Sequence, residues 1–85
     1  MLELRQGEKY KKAFFDKHPN AFCVESLEPI HNWYDMKKQI EWAKENILYD
    51  AFLTFKPVPQ GTTPLFLLWY LTNEIDIMAA KLRWI

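Results

Sequence analysis

The chain has 85 residues, of which 49% are hydrophobic, and it carries 11 basic and 11 acidic side chains. That length is typical of one domain, so we expect residues 1–85 to fold as a single small helical domain. The balanced charge gives no strong field toward nucleic acids or anionic membranes, and we expect neither as the main partner.

The first periodic segment predicts a helix at residues 8–17. Tyr10, Ala13, Phe14 and Lys17 recur at helical spacing. The helix should end before Pro19, because the residue preceding a proline is disfavoured in helical geometry. Its basic side chains suggest an alternative function, a nucleic-acid-associated accessory protein that uses this face; they are Arg5, Lys9, Lys11, Lys12 and Lys17.

The next segment, residues 21–27, contains a short apolar run that is typical of a strand or of a buried connector. Its Cys23 is the single cysteine, which indicates a reducing compartment, and we expect the cytoplasm. Cys23 and His31 are the one possible thiol–imidazole pair, but no third group or oxyanion loop accompanies them. We therefore predict no enzyme, no metal and no cofactor.

A long amphipathic pattern predicts a second helix at residues 33–53. Asn32 is a suitable N-cap, and Asp35 stands three positions later. The predicted core face is Trp33, Met36, Ile40, Ala43, Ile47 and Ala51. Trp42 and Tyr49 fall opposite that face, two turns apart, and are candidate contact residues. Residues 51–58 could instead form a strand, since Phe and Thr favour extended structure.

The third predicted helix spans residues 64–83, with Thr63 as N-cap and Pro64 at its first position. On a helical wheel its apolar residues separate into two stripes. The first stripe is predicted to be core: Leu67, Leu68, Leu71, Ile75, Met78, Ala79 and Leu82. The second stripe lies opposite: Phe66, Trp69, Tyr70, Asn73, Ile77, Ala80 and Trp84.

A membrane is not the expected environment of this last segment. Its uninterrupted apolar run, Leu65 to Leu71, has seven residues, whereas a span needs about 20. Glu74 and Asp76 follow within the helix, and carboxylates at mid-bilayer are costly. The borders between the two stripes carry both signs of charge, which also argues against contact with a membrane surface.

The second stripe has two possible roles. It could pack within the chain if the third helix is central, or it could bind another protein or a second copy. We predict the second role, with Phe66, Trp69, Tyr70, Ile77 and Trp84 as anchors, supported by Trp42 and Tyr49. Asn73, in the middle of the stripe, could set the register of a helix–helix contact.

These patterns predict a mainly α fold, a three-helix bundle with helices near 8–17, 33–53 and 64–83. The alternative is an α+β fold in which short strands near 21–27 and 51–58 pair with each other. The predicted function is a small non-enzymatic protein-interaction module, presenting an apolar–aromatic helix face to a protein partner or forming a homo-oligomer.

Overall fold

The computed structural model describes residues 4–5, 8–59, 61 and 64–84. The elements are, in chain order, β1 (Leu4–Arg5), α1 (Glu8–Lys17), β2 (Phe22–Glu25), α2 (Trp33–Asn46), β3 (Ala51–Phe55), β4 (Leu67–Leu71) and α3 (Glu74–Trp84). The strands form one sheet in the order β1-β3-β4-β2. β4 pairs antiparallel with β2 and with β3, and the two-residue β1 pairs parallel with β3.

The predicted mainly α helical bundle is therefore wrong, because the chain has an α+β fold. β2 and β3 lie within the two segments that the alternative prediction treated as strands. They do not pair with each other, however. Each pairs with β4, which the sequence pattern had assigned to the first turns of the third helix.

β4 is a strand because it occupies the centre of a sheet that is covered on both faces. Leu67, Trp69 and Leu71 alternate along it and are completely buried, whereas Leu68 and Tyr70 point to the opposite face and are half-buried. A strand covered on both sides shows a continuous apolar run without visible alternation. Such a run satisfies a helical wheel equally well, which explains the wrong assignment.

Some helix boundaries match the prediction and others do not. α1 spans the predicted residues 8–17. α2 begins as predicted, with the Asn32 side chain accepting a hydrogen bond from the Asp35 backbone N–H at 3.1 Å. It ends at Asn46, earlier than predicted, because Ile47 adopts an extended backbone. The third helix begins at Glu74, ten residues later than predicted, and the proposed cap Thr63 lies outside the described residues.

The helices cover the two faces of the sheet. α2 and α3 lie on one face, where their buried residues join those of the strands in one apolar cluster: Val24, Ile30, Met36, Ala43, Ile47, Ala51, Leu53, Leu67, Trp69, Leu71, Ala80 and Trp84. α1 covers the other face. Its Phe14 packs against Phe52 of β3, and Phe15 packs edge-on against Tyr70 of β4. The described residues thus form three layers: α1, the sheet, and α2 with α3.

The α2 core face differs in detail from the predicted one. Trp33, expected in the core, is 68% exposed, whereas Gln39 is buried. The Gln39 side chain donates to the Glu28 carbonyl at 3.1 Å and accepts the Trp69 indole N–H at 3.5 Å. A buried amide is tolerated because it has these partners. Gln39 therefore holds α2 to the preceding loop and to the centre of the sheet.

Candidate protein-interaction surface

Asn73 determines where α3 begins. Its side-chain oxygen accepts a hydrogen bond from the Ile75 backbone N–H at 2.8 Å, and its carbonyl accepts one from the Ile77 N–H. These are the contacts of a helix N-cap. Asn73 was predicted to set register in a contact with another helix, but here its side chain caps its own helix.

Asp76 fixes the position of α3 against the end of α2. It is completely buried, and its two carboxylate oxygens accept hydrogen bonds from the backbone N–H groups of Leu48 and Tyr49, each at 2.9 Å. At the C-terminal end of α3, the Trp84 ring lies 4.9 Å from the Trp42 ring of α2, measured between centroids. α2 and α3 therefore run in opposite directions as one layer.

α3 packs inward through its part of the stripe that was predicted to bind a partner, namely Ile77, Ala80 and Trp84. Ala80 is completely buried, Trp84 is 5% exposed, and Ile77 packs against the core. The Trp84 ring stacks on Trp69, with centroids 5.8 Å apart and planes 18° apart. These side chains hold α3 to the sheet.

The opposite side of α3, which was predicted to be core, faces outward. Ile75, Met78 and Leu82 are 59%, 65% and 78% exposed. Together with Ala79 they form a row along the helix, which we call the outer face. Single exposed apolar residues are common on proteins, but a contiguous apolar row marks a contact surface more often.

The eight predicted partner-binding residues are consequently dispersed. Trp69 and Trp84 are in the core, and Ile77 packs against it. Tyr70 is half-buried beneath Phe15 of α1, and Phe66 is also half-buried. Two of the eight, the half-buried Trp42 and the 47%-exposed Tyr49, lie in or beside the α2–α3 layer. The outer face was predicted to be core because its residues have the spacing of an ordinary core stripe.

A shallow groove runs along the outer face between α2 and α3. It has a volume of about 500 Å³ and is lined by Trp42, Asn46, Ala79, Leu82 and Arg83. The Arg83 guanidinium lies 5.2 Å from the centre of the Trp42 ring and also pairs with Glu28 at 2.8 Å. The Trp42 ring thus forms an aromatic wall of the groove, and the Arg83 guanidinium packs against that ring.

The charges beside the outer face are sorted along the helix. Glu74 and Asp76 are in the first turn of α3, and Lys81 and Arg83 are in the last turn. This order complements the helix dipole. On the side toward β2, the Lys81 ammonium lies 4.8 Å from the centre of the Phe22 ring, which is itself 45% exposed. Lys81 therefore packs over an exposed aromatic ring on the edge strand.

Cys23 is a free thiol that is exposed on β2. Cys23 lies opposite Tyr70 in the sheet. Desolvation by the neighbouring sheet surface raises the pKa of its thiol, and the hydrogen bond with Tyr70 opposes this only in part. A raised pKa leaves less of the reactive thiolate. Among the described residues, no group of three or more His, Cys, Asp or Glu side chains could hold a metal ion.

A polar cluster around Asp50 joins α1 to the loop before β3. Asp50 lies 3.2 Å from His18 and 3.4 Å from Lys17, and its backbone carbonyl accepts a hydrogen bond from Thr72 at 2.9 Å. A cleft of about 230 Å³ lies beside these residues, lined by the Lys17–Ala21 segment and Thr72. Asp50 therefore connects the end of α1, the loop before β3 and the residue after β4, and we interpret these contacts as stabilising the fold.

The Asp50 cluster predicts a loss of stability in acid. The hydrogen bond with His18, reinforced by Lys17, holds the pKa of Asp50 below its ordinary value of 3.8. The resulting stabilisation is complete above the unfolded-state pKa and is lost as the pH falls through the folded-state value. Because Asp50 is 41% exposed, the contribution is less than about 1 kcal/mol.

Urea unfolding of the wild type and Asp50→Asn checks this expectation between about pH 6 and pH 2.5. The wild type should be the more stable near pH 6, and the difference should close as the pH approaches the lower limit. A difference that stays constant over the whole range would show that the Asp50 charge contributes nothing.

The structure describes three of the five basic side chains that were assigned to this surface, Lys11, Lys12 and Lys17. Lys11 and Lys12 are exposed, but Lys17 is directed to Asp50. This arrangement adds no support to the nucleic-acid alternative. None of the helices in the described part of the chain is long and apolar enough to cross a membrane.

Comparison with known proteins provides no relative from which a function could be transferred. No protein-family model, no curated protein and no solved structure matches this chain. The outer face and the groove beside it are therefore interpreted from their own geometry.

Proposed function

We propose that the chain is a small non-enzymatic protein-interaction module that binds an amphipathic helix through the outer side of its α2–α3 layer. The observation that supports this most directly is the exposure of Ile75, Met78 and Leu82 on a helix whose other side is buried in the core. Complete burial of a fully exposed side chain of this size is worth about 1.5–3 kcal/mol, and each of these three still has more than half of its surface to cover.

The spacing of these residues suits a helical partner. Residues 75, 78 and 82 follow one another at intervals of three and four, as in a helix–helix seam. The groove toward α2 can receive a row of side chains from the partner, and its Trp42 wall offers the aromatic surface common at binding hot spots. The buried Asp76 contacts hold α3 in place before binding. A pre-ordered surface avoids part of the entropic cost of association.

Selection from a display library of helical peptides tests the proposal. We expect selected peptides to carry apolar residues at helical spacing and to lose at least about tenfold in affinity for Met78→Lys, since a buried lysine would desolvate its charge. Tyr34→Lys is the matched control, because Tyr34 is 63% exposed in the first turn of α2 and is not among the residues that line the groove.

Peptides that bind wild type, Met78→Lys and Tyr34→Lys equally would show that the outer face is not the binding surface. Failure to select any helical peptide whose binding depends on Met78 or Leu82 would contradict the proposed function itself. Thermal unfolding of each variant confirms that the substitution has left the fold intact, as expected for exposed positions.

A further inference from the structure

We infer that the partner of the outer face is a second copy of this chain, bound with the two α3 helices antiparallel across a two-fold axis. This inference rests on the proposed function and names its partner. Two features of α3 support it. The apolar residues of the outer face have the same spacing in both chain directions, and the charges of α3 are complementary to those of a second α3 that runs antiparallel to it.

The first feature is the spacing of the outer face. Its residues, Ile75, Met78, Ala79 and Leu82, are separated by three, one and three positions. Reversing the helix about the midpoint between Met78 and Ala79 leaves that pattern unchanged. In an antiparallel pair Ile75 therefore meets Leu82 of the second copy, and Met78 meets Ala79. A two-fold interface requires this kind of self-complementary surface.

The side-chain sizes at the centre of the outer face also suit an antiparallel pair. Met78 is long and flexible and is 65% exposed, whereas Ala79 beside it is small and half-buried. Met78 of each copy would pack over Ala79 of the other, which lets two helices approach closely without a void. Leu82 at one end and Ile75 at the other close the row.

The second feature is the flank toward β2. Glu74 and Lys81 both lie on this flank and are seven residues apart, so they occupy equivalent positions on the helix two turns from each other. A two-fold axis perpendicular to α3 keeps each flank on its own side and reverses its direction. Glu74 of each copy is thereby placed on the same flank as Lys81 of the other, offset by about 3 Å along the helix axis, and two opposite-charge pairs form.

A parallel arrangement lacks this complementarity. It would bring the acidic first turns of the two helices together, and likewise their basic last turns. It would also align the two helix dipoles, whereas the antiparallel arrangement opposes them. The charge pattern of α3 therefore favours one orientation of one partner, the chain itself.

Sedimentation equilibrium over a dilution series, from low-micromolar to near-millimolar protein, tests the inference. The wild type should pass from monomer to dimer. Met78→Lys should weaken the dimer by more than about tenfold, because the two lysines would be buried close to the axis. Its circular dichroism should remain that of the wild type, since Met78 is exposed in the monomer.

A charge exchange tests the orientation. Glu74→Lys alone and Lys81→Glu alone should each weaken the dimer, by roughly three- to tenfold, since each creates two like-charge pairs. The double variant Glu74→Lys/Lys81→Glu should restore the wild-type dimer, because the exchanged charges again face each other. In a parallel dimer the double variant would show no such rescue.

Each result bears on the inference separately from the proposed function. A wild type that stays monomeric at every concentration, or a dimer that Met78→Lys leaves unchanged, overturns the second copy as partner. The same holds for single charge variants without effect or a double variant without rescue. If the chain stays monomeric yet selects helical peptides through Met78, the proposed function stands and only the identity of the partner is wrong.

Discussion

Replacing Trp69 by alanine is expected to lower the free energy of unfolding by about 3–5 kcal/mol. Trp69 is completely buried at the centre of β4, its ring stacks on Trp84, and its indole N–H donates to Gln39. Truncation would leave a large cavity between the sheet and the α2–α3 layer. A domain of this length is stable by roughly 4–13 kcal/mol, so much of the folded population could be lost.

Trp33→Ala is the matched control for this substitution. The same side chain is removed, but Trp33 is 68% exposed at the start of α2, and the change should be within about 0.5 kcal/mol. Urea unfolding of both variants measures the difference. A Trp69→Ala protein that retains wild-type stability but loses self-association would instead show that Trp69 is an interface anchor, as the helical wheel alone predicted.

Replacing Asp76 by alanine should cost about 2–4 kcal/mol, because it leaves the backbone N–H groups of Leu48 and Tyr49 without their acceptor. The stability should be lost mainly at this contact, since the carboxylate holds the loop after α2 against the first turn of α3. We therefore expect hydrogen exchange at the Leu48 and Tyr49 amides to accelerate more than exchange in β4.

Two further substitutions separate the hydrogen bonds from the charge. Asp76→Asn keeps one acceptor oxygen and should lose less stability than Asp76→Ala. Glu74→Ala removes an exposed acid from the same first turn, and it should cost no more than about 1 kcal/mol through the helix dipole. Equal effects of Glu74→Ala and Asp76→Ala would contradict the role assigned to the buried carboxylate.

The parts of the fold that depend on local chemistry could be predicted from the sequence. α1 has an amphipathic repeat ended by Pro19, and α2 has a capping asparagine with Asp35 three residues later. α1 ends and α2 begins where these signals place them. β2 and β3 lie in segments whose strand character was recognised, although only as an alternative.

β4 could not be predicted in the same way, because its environment is tertiary. α1 covers one face of Leu67–Leu71, and the α2–α3 layer covers the other, so apolar side chains are favoured at every position. The sequence did contain a signal that the third helix begins only after this segment. Asn73 as cap, Glu74 and Asp76 in the first turn, and Lys81 and Arg83 in the last turn together mark a helix from 74 to 84.

The two apolar sides of α3 were separated correctly, but the side predicted to be core is exposed and the other side packs against the core. The wheel assigned the core to the side that Leu67, Leu68 and Leu71 would extend, and those residues belong to the strand. Without them, the two sides of α3 have similar apolarity. What selects the inner side is the stacking of Trp84 on Trp69, a contact between residues 15 positions apart in different elements.

Thiol labelling on the two sides of α3 tests the central claim most directly, namely that the helix packs through its Ala80 side and presents its Met78 side. In a Cys23→Ser background, Met78→Cys should react at the rate of an open thiol in dilute protein and more slowly as concentration rises. Ala80→Cys, at a completely buried position, should react at least about a hundredfold more slowly at every concentration. Fast labelling at position 80, or protection of position 78 even at the lowest concentration, would contradict this account.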